Sequence, residues 1–146
     1  MSLIRNDKAH LDYEFLEKLE AGIELLGAEV KTLRAGRGSL KGARIVARGG
    51  EAYLVGASIP AWQVANAPHH DTERTRKLLL SREEIAHVAS AEGQKGLTII
   101  PVAIYSRGRH LKLEIAISRG KKKVDKREDL KKRDEKRKME RALKQS

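Results

Sequence analysis

The segment His110–Ser118, with the sequence HLKLEIAIS, alternates apolar and polar side chains more regularly than any other part of the chain. Its large apolar residues occupy every second position and would share one face of an extended strand: Leu111, Leu113, Ile115 and Ile117. A period of two is typical of a β-strand with one buried face. Since this is the clearest pattern in the chain, the sequence favours a β fold.

A partner strand is predicted directly before this segment. Leu97–Tyr105 is rich in apolar and β-branched residues, and Ser106–Arg109 supplies a short turn between the two strands. Pro101 has no amide hydrogen to give to a neighbouring strand. It therefore predicts an edge position or a β-bulge.

A second hairpin is predicted from Ala43–Arg48 and Ala52–Val55. Gly49-Gly50-Glu51 lies between them, and glycine takes the positive φ of a tight turn freely.

Leu11–Leu26 is ambiguous, because its apolar residues fit a strand in one part and a helix in another. Gly22 argues against one continuous helix there.

Three short helices are predicted between the strands. Ala28–Arg34 has a helical period, and Gly36 can supply the left-handed residue that ends it. Asp71 is a good N-cap for a helix that runs through Lys77–Leu80. Ser81–Glu84 forms a capping box, and the helix that follows should bury one face: Ile85, Val88 and Ala89.

These elements predict a mainly β protein with short helices. Five or six short strands in about 118 residues suit a small antiparallel barrel, closed or partly open and similar to an OB-fold. We expect a body over residues 1–118 and a basic C-terminal tail over residues 119–146.

Charge is concentrated in that tail. The chain has a net charge of +11; residues 119–146 hold 14 Lys and Arg against six Asp and Glu, or +8. Such an excess favours a polyanionic partner. Acidic and basic residues four apart, such as Glu128 and Lys132, support a helix weakly. We therefore expect the tail to be disordered when free and helical when bound.

Other classes of protein find little support in the sequence. There is no cysteine, and the five histidines have no spacing that suits a metal site. No phosphate loop, nucleophile elbow or dinucleotide fingerprint is present, so we expect no enzyme, cofactor or metal. Without an apolar run that could span a bilayer or act as a secretory signal, we expect a cytoplasmic protein.

Arg74–Leu80, with the sequence RTRKLLL, is the sharpest sign of function. Three cations in four residues directly precede a run of leucines, which predicts a phosphate-binding cluster beside a buried element. A basic face that only keeps the protein soluble is the alternative.

Four blocks of this sequence resemble the SmpB family in order and spacing: EAGI (Glu20–Ile23), EVKTLRAG (Glu29–Gly36), RTRKLLL (Arg74–Leu80), and RGKKK (Arg119–Lys123) with DKRE (Asp125–Glu128). The resemblance implies an OB-fold body that binds the tRNA-like domain of tmRNA. The complex would enter stalled ribosomes in trans-translation, and the tail would act in the decoding centre and mRNA channel. Elongation factor Tu is implied as a partner of the charged tmRNA complex, and the protein is expected to be a monomer.

The resemblance also implies particular contact residues. In the body these are Glu20, Arg74, Arg76, Lys77 and Leu79. In the tail they are Gly120, Lys121, Lys122, Asp125, Lys126, Arg127, Lys131, Lys132 and Arg133, with Gly120–Lys122 as a hinge. Ser81 stands where the family often has Asn or His, so capping is its expected role. The main alternative is a general basic RNA-binding protein, either ribosomal or a translation factor.

Overall fold

The computed structural model describes residues 2–63, 68–121 and 123–145, with the side chains of 123–129 and 143–145 left aside. Within these residues lie seven strands and four helices: β1 (Ser2–Arg5), α1 (Ala9–Asp12), β2 (Tyr13–Ile23), α2 (Gly27–Arg34), β3 (Arg44–Arg48), β4 (Glu51–Val55), β5 (Arg76–Leu79), α3 (Arg82–Glu92), β6 (Leu97–Arg107), β7 (His110–Gly120) and α4 (Lys123–Gln145).

All strand pairs are antiparallel, in the order β1-β6-β3-β4-β5-β2-β7. β6, the second strand of this series, also pairs with β7 at its far end, so that β6, β3, β4, β5, β2 and β7 close into a barrel and β1 is added beside β6. β6 is long enough to have two partners on the same edge, because it pairs with β3 near its start and with β1 near its end. The predicted mainly β fold, a small antiparallel barrel with short helices, is confirmed.

The strand over His110–Ser118 is confirmed and extends to Gly120 in β7. Its four large apolar residues are all buried in the main core. The opposite face is less polar than the alternation suggests, because Ala116 and Ser118 are buried as well. Ala116 packs in a small second core with Ala9 of α1 and Ile100 of β6.

The turns follow the predicted chemistry. Gly49 and Gly50 both have positive φ, 58° and 77°, as a two-residue hairpin turn of the primed type requires. Gly36 has φ 77° just after α2. The pairing of β6 with β7 shifts register between Pro101 and Ala103, so the bulge predicted at the proline is present.

The capping box before α3 is also confirmed. Ser81 Oγ accepts from the amide of Glu84, and the Glu84 carboxylate accepts from the amide of Ser81. The predicted inner face is partly wrong. Val88 is buried, but Ala89 is exposed, and Ala91 takes the inner position because it lies three residues after Val88.

The helix predicted from Asp71 through Leu80 is wrong, because Arg76–Leu79 forms β5. Asp71 instead accepts a hydrogen bond from the amide of Glu73, 3.0 Å away, within a turn. β5 lies between β4 and β2, where Leu78 pairs with Ala52. Backbone hydrogen bonds on both sides and the burial of alternate side chains outweigh local helix propensity.

The tail forms helix α4, the conformation expected for it in the bound state. α4 contacts α1, and Leu130 and Met139 lie exposed on its surface. The disorder of the free tail stays a prediction.

Candidate nucleic-acid interface

The basic residues of RTRKLLL do not share one environment. In β5, alternate side chains point to opposite sides, so Arg76 and Leu78 are buried while Lys77 and Leu79 face outward. Arg76 is 0% exposed. Its guanidinium donates to the Glu29 carboxylate and to four backbone carbonyls: Ala57, Ile59, Thr72 and Arg74. The prediction that Arg76 contacts phosphate is corrected, since protein acceptors surround this guanidinium.

The partner of Arg76, Glu29 in α2, is a buried carboxylate held by several donors. Arg74 reaches both of its oxygens, at 2.5 and 3.0 Å, and the Leu26 amide donates at 2.9 Å. Burial raises the pKa of the Glu29 carboxyl, but hydrogen bonds from Arg74, Leu26 and Arg76 outweigh it and lower the pKa below its usual value. Arg74 thus mainly holds Glu29, although part of its side chain remains exposed.

Lys77 and Leu79 lie on the outer side of β5. Lys77 Nζ is 3.6 Å from Glu51 Oε1, a half-exposed pair of the kind that contributes little to stability. A phosphate could therefore compete for this lysine. Leu79 is 53% exposed and packs over Gly22, where a Cβ atom would lie 2.9 Å from that of Leu79. The glycine makes room for this leucine on the surface.

Glu20 lies on the outer face of β2 and joins a polar cluster. The Tyr105 hydroxyl donates to Glu20 Oε2, and Arg107 Nη2 lies 3.0 Å from the same oxygen. Burial and the hydrogen bond to Glu20 raise the pKa of Tyr105 to about 12. These residues line an open cavity of about 470 Å³ together with Arg5 and Lys18. Carboxylate, phenol and guanidinium can together accept from base amino groups and donate to phosphate.

The strand register places Glu20 and Leu79 on one face. Leu79 pairs across β5–β2 with Gly22, two residues after Glu20, and positions two apart in a strand point the same way. Lys112 of β7 pairs with Gly22 from the other side and also with Tyr105 of β6. Carboxylate, leucine, phenol and lysine therefore share a continuous outer surface.

The first tail residues are tied to the body. Gly120 pairs with Tyr13 at the end of β7. The Lys121 amide donates to Asp12 O at 2.9 Å, and its Nζ donates to His10 O at 2.7 Å. Lys131, Lys132 and Arg133 are exposed on α4. Lys122 lies outside the described residues, as do the side chains of Asp125, Lys126 and Arg127.

Among the described residues, no three His, Asp or Glu side chains are grouped so that they could hold a metal ion. None of the helices described is long and apolar enough to cross a membrane.

Known proteins identify the family. The model of the family described as SmpB protein matches residues 3–145. The chain belongs to the SmpB family. The SsrA-binding protein of Gloeobacter violaceus is 48% identical over 141 residues, which cover 97% of this chain and 93% of that protein. The SsrA-binding protein of Thermosipho africanus is 46% identical over 142 residues, covering 97% and 95%.

A solved SmpB structure agrees with the fold. It comes from work described as "tmRNA-SmpB: a journey to the center of the bacterial ribosome" and is 38% identical to this chain. The match has a TM-score of 0.70 and covers 86% of this chain and 92% of that one. The barrel seen here is thus an SmpB barrel.

Sequence reasoning missed two members of the surface in this SmpB chain, Tyr105 and Arg107. Both lie at the end of β6, far in sequence from Glu20, and only the closure of the barrel brings them to it. The outward position of Tyr105 was a usable signal, because a tyrosine on the polar side of a strand is often a contact residue.

Proposed function

We propose that this chain is a non-enzymatic protein that binds the tRNA-like domain of tmRNA and delivers it to stalled ribosomes in trans-translation. The observation that carries the proposal is the common outer face of Glu20 and Leu79, which the register of β2 with β5 creates. The family match over residues 3–145 and relatives described as SsrA-binding proteins support the same function.

The chemistry of this face suits a folded RNA. The Glu20 contacts to Tyr105 and Arg107 both use Oε2, and among the described residues Oε1 has no recorded partner. Oε1 is therefore available to accept from a base amino group or a ribose 2′-hydroxyl. Leu79 offers an apolar surface for a base or sugar, and Lys77 and the exposed part of Arg74 offer positive charge to phosphates.

The proposed division of labour separates the body, residues 1–118, from the tail, residues 119–146. The body binds tmRNA, and the tail acts in the decoding centre and mRNA channel of the ribosome. Gly120–Lys122 acts as the hinge, and the tail contacts lie at Lys121, Lys122, Asp125, Lys126, Arg127, Lys131, Lys132 and Arg133. The +8 charge of residues 119–146 supports a polyanionic path for this segment.

The protein acts as a cytoplasmic monomer without metal or cofactor, and elongation factor Tu joins the charged tmRNA complex. Peptide transfer is left to the ribosome.

The test is competition binding to tmRNA at roughly physiological salt, with excess bulk tRNA present. Since nonspecific electrostatic binding does not distinguish these RNAs, binding that survives the competitor supports recognition of one folded RNA. Binding that titrates away with tRNA would contradict the proposal and would favour a general basic RNA-binding protein.

A further inference from the structure

At one end of the barrel two further arginines, Arg34 and Arg109, adjoin Arg107, which belongs to the surface described above. Arg107 is the last residue of β6, Arg109 lies in the turn between β6 and β7, and Arg34 belongs to the last turn of α2. We call these three residues the arginine clamp. Gly108, with φ 60°, makes the tight turn that holds Arg107 and Arg109 close in sequence and space.

Hydrogen bonds dock the two parts of the clamp on each other. Arg34 Nη1 lies 3.5 Å from Ser106 Oγ, and Nη2 donates to the Arg109 carbonyl at 3.3 Å. The guanidinium of a helix residue is thereby fixed against the tip of the hairpin. All three arginine side chains remain exposed.

The clamp carries more positive charge than its neighbours balance. Arg107 pairs with Glu20 at 3.0 Å. Neither Arg34 nor Arg109 has an acidic group within 4.0 Å in the described part of the chain, and the partners of Arg34 are a hydroxyl and a carbonyl. Two exposed guanidinium groups near the same turn, without an acidic partner among the described residues, favour an anion, and planar guanidinium matches phosphate through paired hydrogen bonds.

The clamp also continues the candidate interface. Arg107 contacts Glu20 on one side, and its turn supports Arg34 on the other. A strand of RNA lying over Glu20 would therefore present its backbone to these guanidinium groups.

We propose that the arginine clamp is a second RNA contact, in which Arg34 and Arg109 bind backbone phosphates of a folded RNA. The proposal rests on the proposed function, in that the protein binds RNA. The contacts of the clamp would position the RNA without reading any base, since phosphates carry no sequence information. The phosphates can belong to tmRNA or to ribosomal RNA, and the test separates these sources.

The test compares a double variant, R34A/R109A, with the matched control R44A/R82A, which removes the same charge elsewhere. Arg44 and Arg82 are exposed. Arg44 precedes Ile45, which pairs with Ile99 near the start of β6, whereas the clamp lies at the end of that strand. Binding to tmRNA and to ribosomes is titrated over a range of salt concentrations for each protein.

A lost phosphate contact makes the plot of log binding constant against log salt shallower by roughly 0.7–0.9. We expect R34A/R109A to lose one to two such contacts, with the control unchanged. A shallower slope with tmRNA assigns the phosphates to tmRNA, and a change only with ribosomes assigns them to ribosomal RNA. If both slopes stay the same, or if the control changes equally, the proposal is wrong.

Circular dichroism and thermal unfolding of each variant check the fold. If R34A/R109A unfolds, the salt titration is repeated with the single variant R109A. Among the described residues, the Arg109 side chain makes none of the contacts that dock α2 on the turn. R109A should lose about one contact from the slope, and an unchanged slope would overturn the proposal. Failure of the wild-type protein in the tRNA competition tests the proposed function separately, since the clamp can still be titrated on any structured RNA that the protein binds.

Discussion

Arg76 and Glu29 form a buried ion pair, with Arg76 Nη2 2.6 Å from Glu29 Oε2 and neither side chain exposed to solvent. The pair links β5 to α2, and Arg74 and His70 lie against the same carboxylate. A segment that looks like an RNA-binding patch in the sequence thus also supplies an internal support for the fold. Its outward residues, Lys77 and Leu79, are held in place by that support.

The first prediction concerns the charge of Glu29. Glu29→Gln should lower the free energy of unfolding by about 3–5 kcal/mol, because it leaves the Arg76 guanidinium buried without its counter-charge. Urea denaturation at neutral pH measures the change. Glu51→Gln is the matched control, and it should cost less than about 1 kcal/mol because the Glu51–Lys77 pair is half-exposed. Equal losses in both variants would contradict the role given to Glu29.

The second prediction concerns pH. The pKa of Glu29 is lowered in the folded protein, so its contribution to stability is present above the ordinary value of 4.5 and is lost as pH falls through the folded value. The gap in stability between wild type and Glu29→Gln should therefore narrow in acid. Urea titrations at several pH values below neutrality measure it. A gap that is constant down to the acid transition would show that the charge of Glu29 contributes nothing.

The third prediction concerns Tyr105. Because its pKa is raised to about 12, its contribution to stability is full below 10 and is lost as pH rises from 10 to 12. Ultraviolet absorbance should show the late titration of Tyr105, and this titration should be absent in Tyr105→Phe. Glu20→Gln should move this titration toward 10, since the hydrogen bond and charge of Glu20 raise the pKa. If Glu20→Gln left the titration of Tyr105 unchanged, the hydrogen bond between Tyr105 and Glu20 would not be the cause of the raised pKa.

The fourth prediction concerns the close approach of Gly22 and Leu79. Gly22→Ala should cost about 1–3 kcal/mol of stability, because the added Cβ would lie 2.9 Å from the Leu79 Cβ. It should also weaken tmRNA binding by displacing Leu79. Gly27→Ala is the control, since among the described residues no atom outside the neighbouring chain and helix backbone lies within 4 Å of its added Cβ. Unchanged stability and binding in Gly22→Ala would show that the Leu79 side chain can move aside without cost, and would contradict the prediction.

The fifth prediction concerns the tail. Truncation after Gly120 should leave tmRNA binding largely intact and abolish tagging on stalled ribosomes, because the barrel is complete without α4. Filter binding and a reconstituted tagging reaction measure the two effects. Loss of tmRNA binding by the truncated protein would mean that the body and tail do not divide the work as proposed.

Much of the fold was readable from the sequence. The period of two in His110–Ser118, the Gly49-Gly50 turn and the capping box at Ser81 each act through neighbouring residues, so local patterns sufficed. β5 was misread, because the residues that make Arg76–Leu79 a strand are its partners in β4 and β2, distant along the chain.

The sequence by itself determined the barrel class, the basic tail and the family resemblance, since these depend on period, composition and order of residues. Only the tertiary structure decided which arginine is buried, which leucine is exposed, and that Glu20 meets Tyr105 and Arg107. The physical reason is that burial and ion pairing depend on which strands are neighbours, and barrel closure sets those neighbours through register.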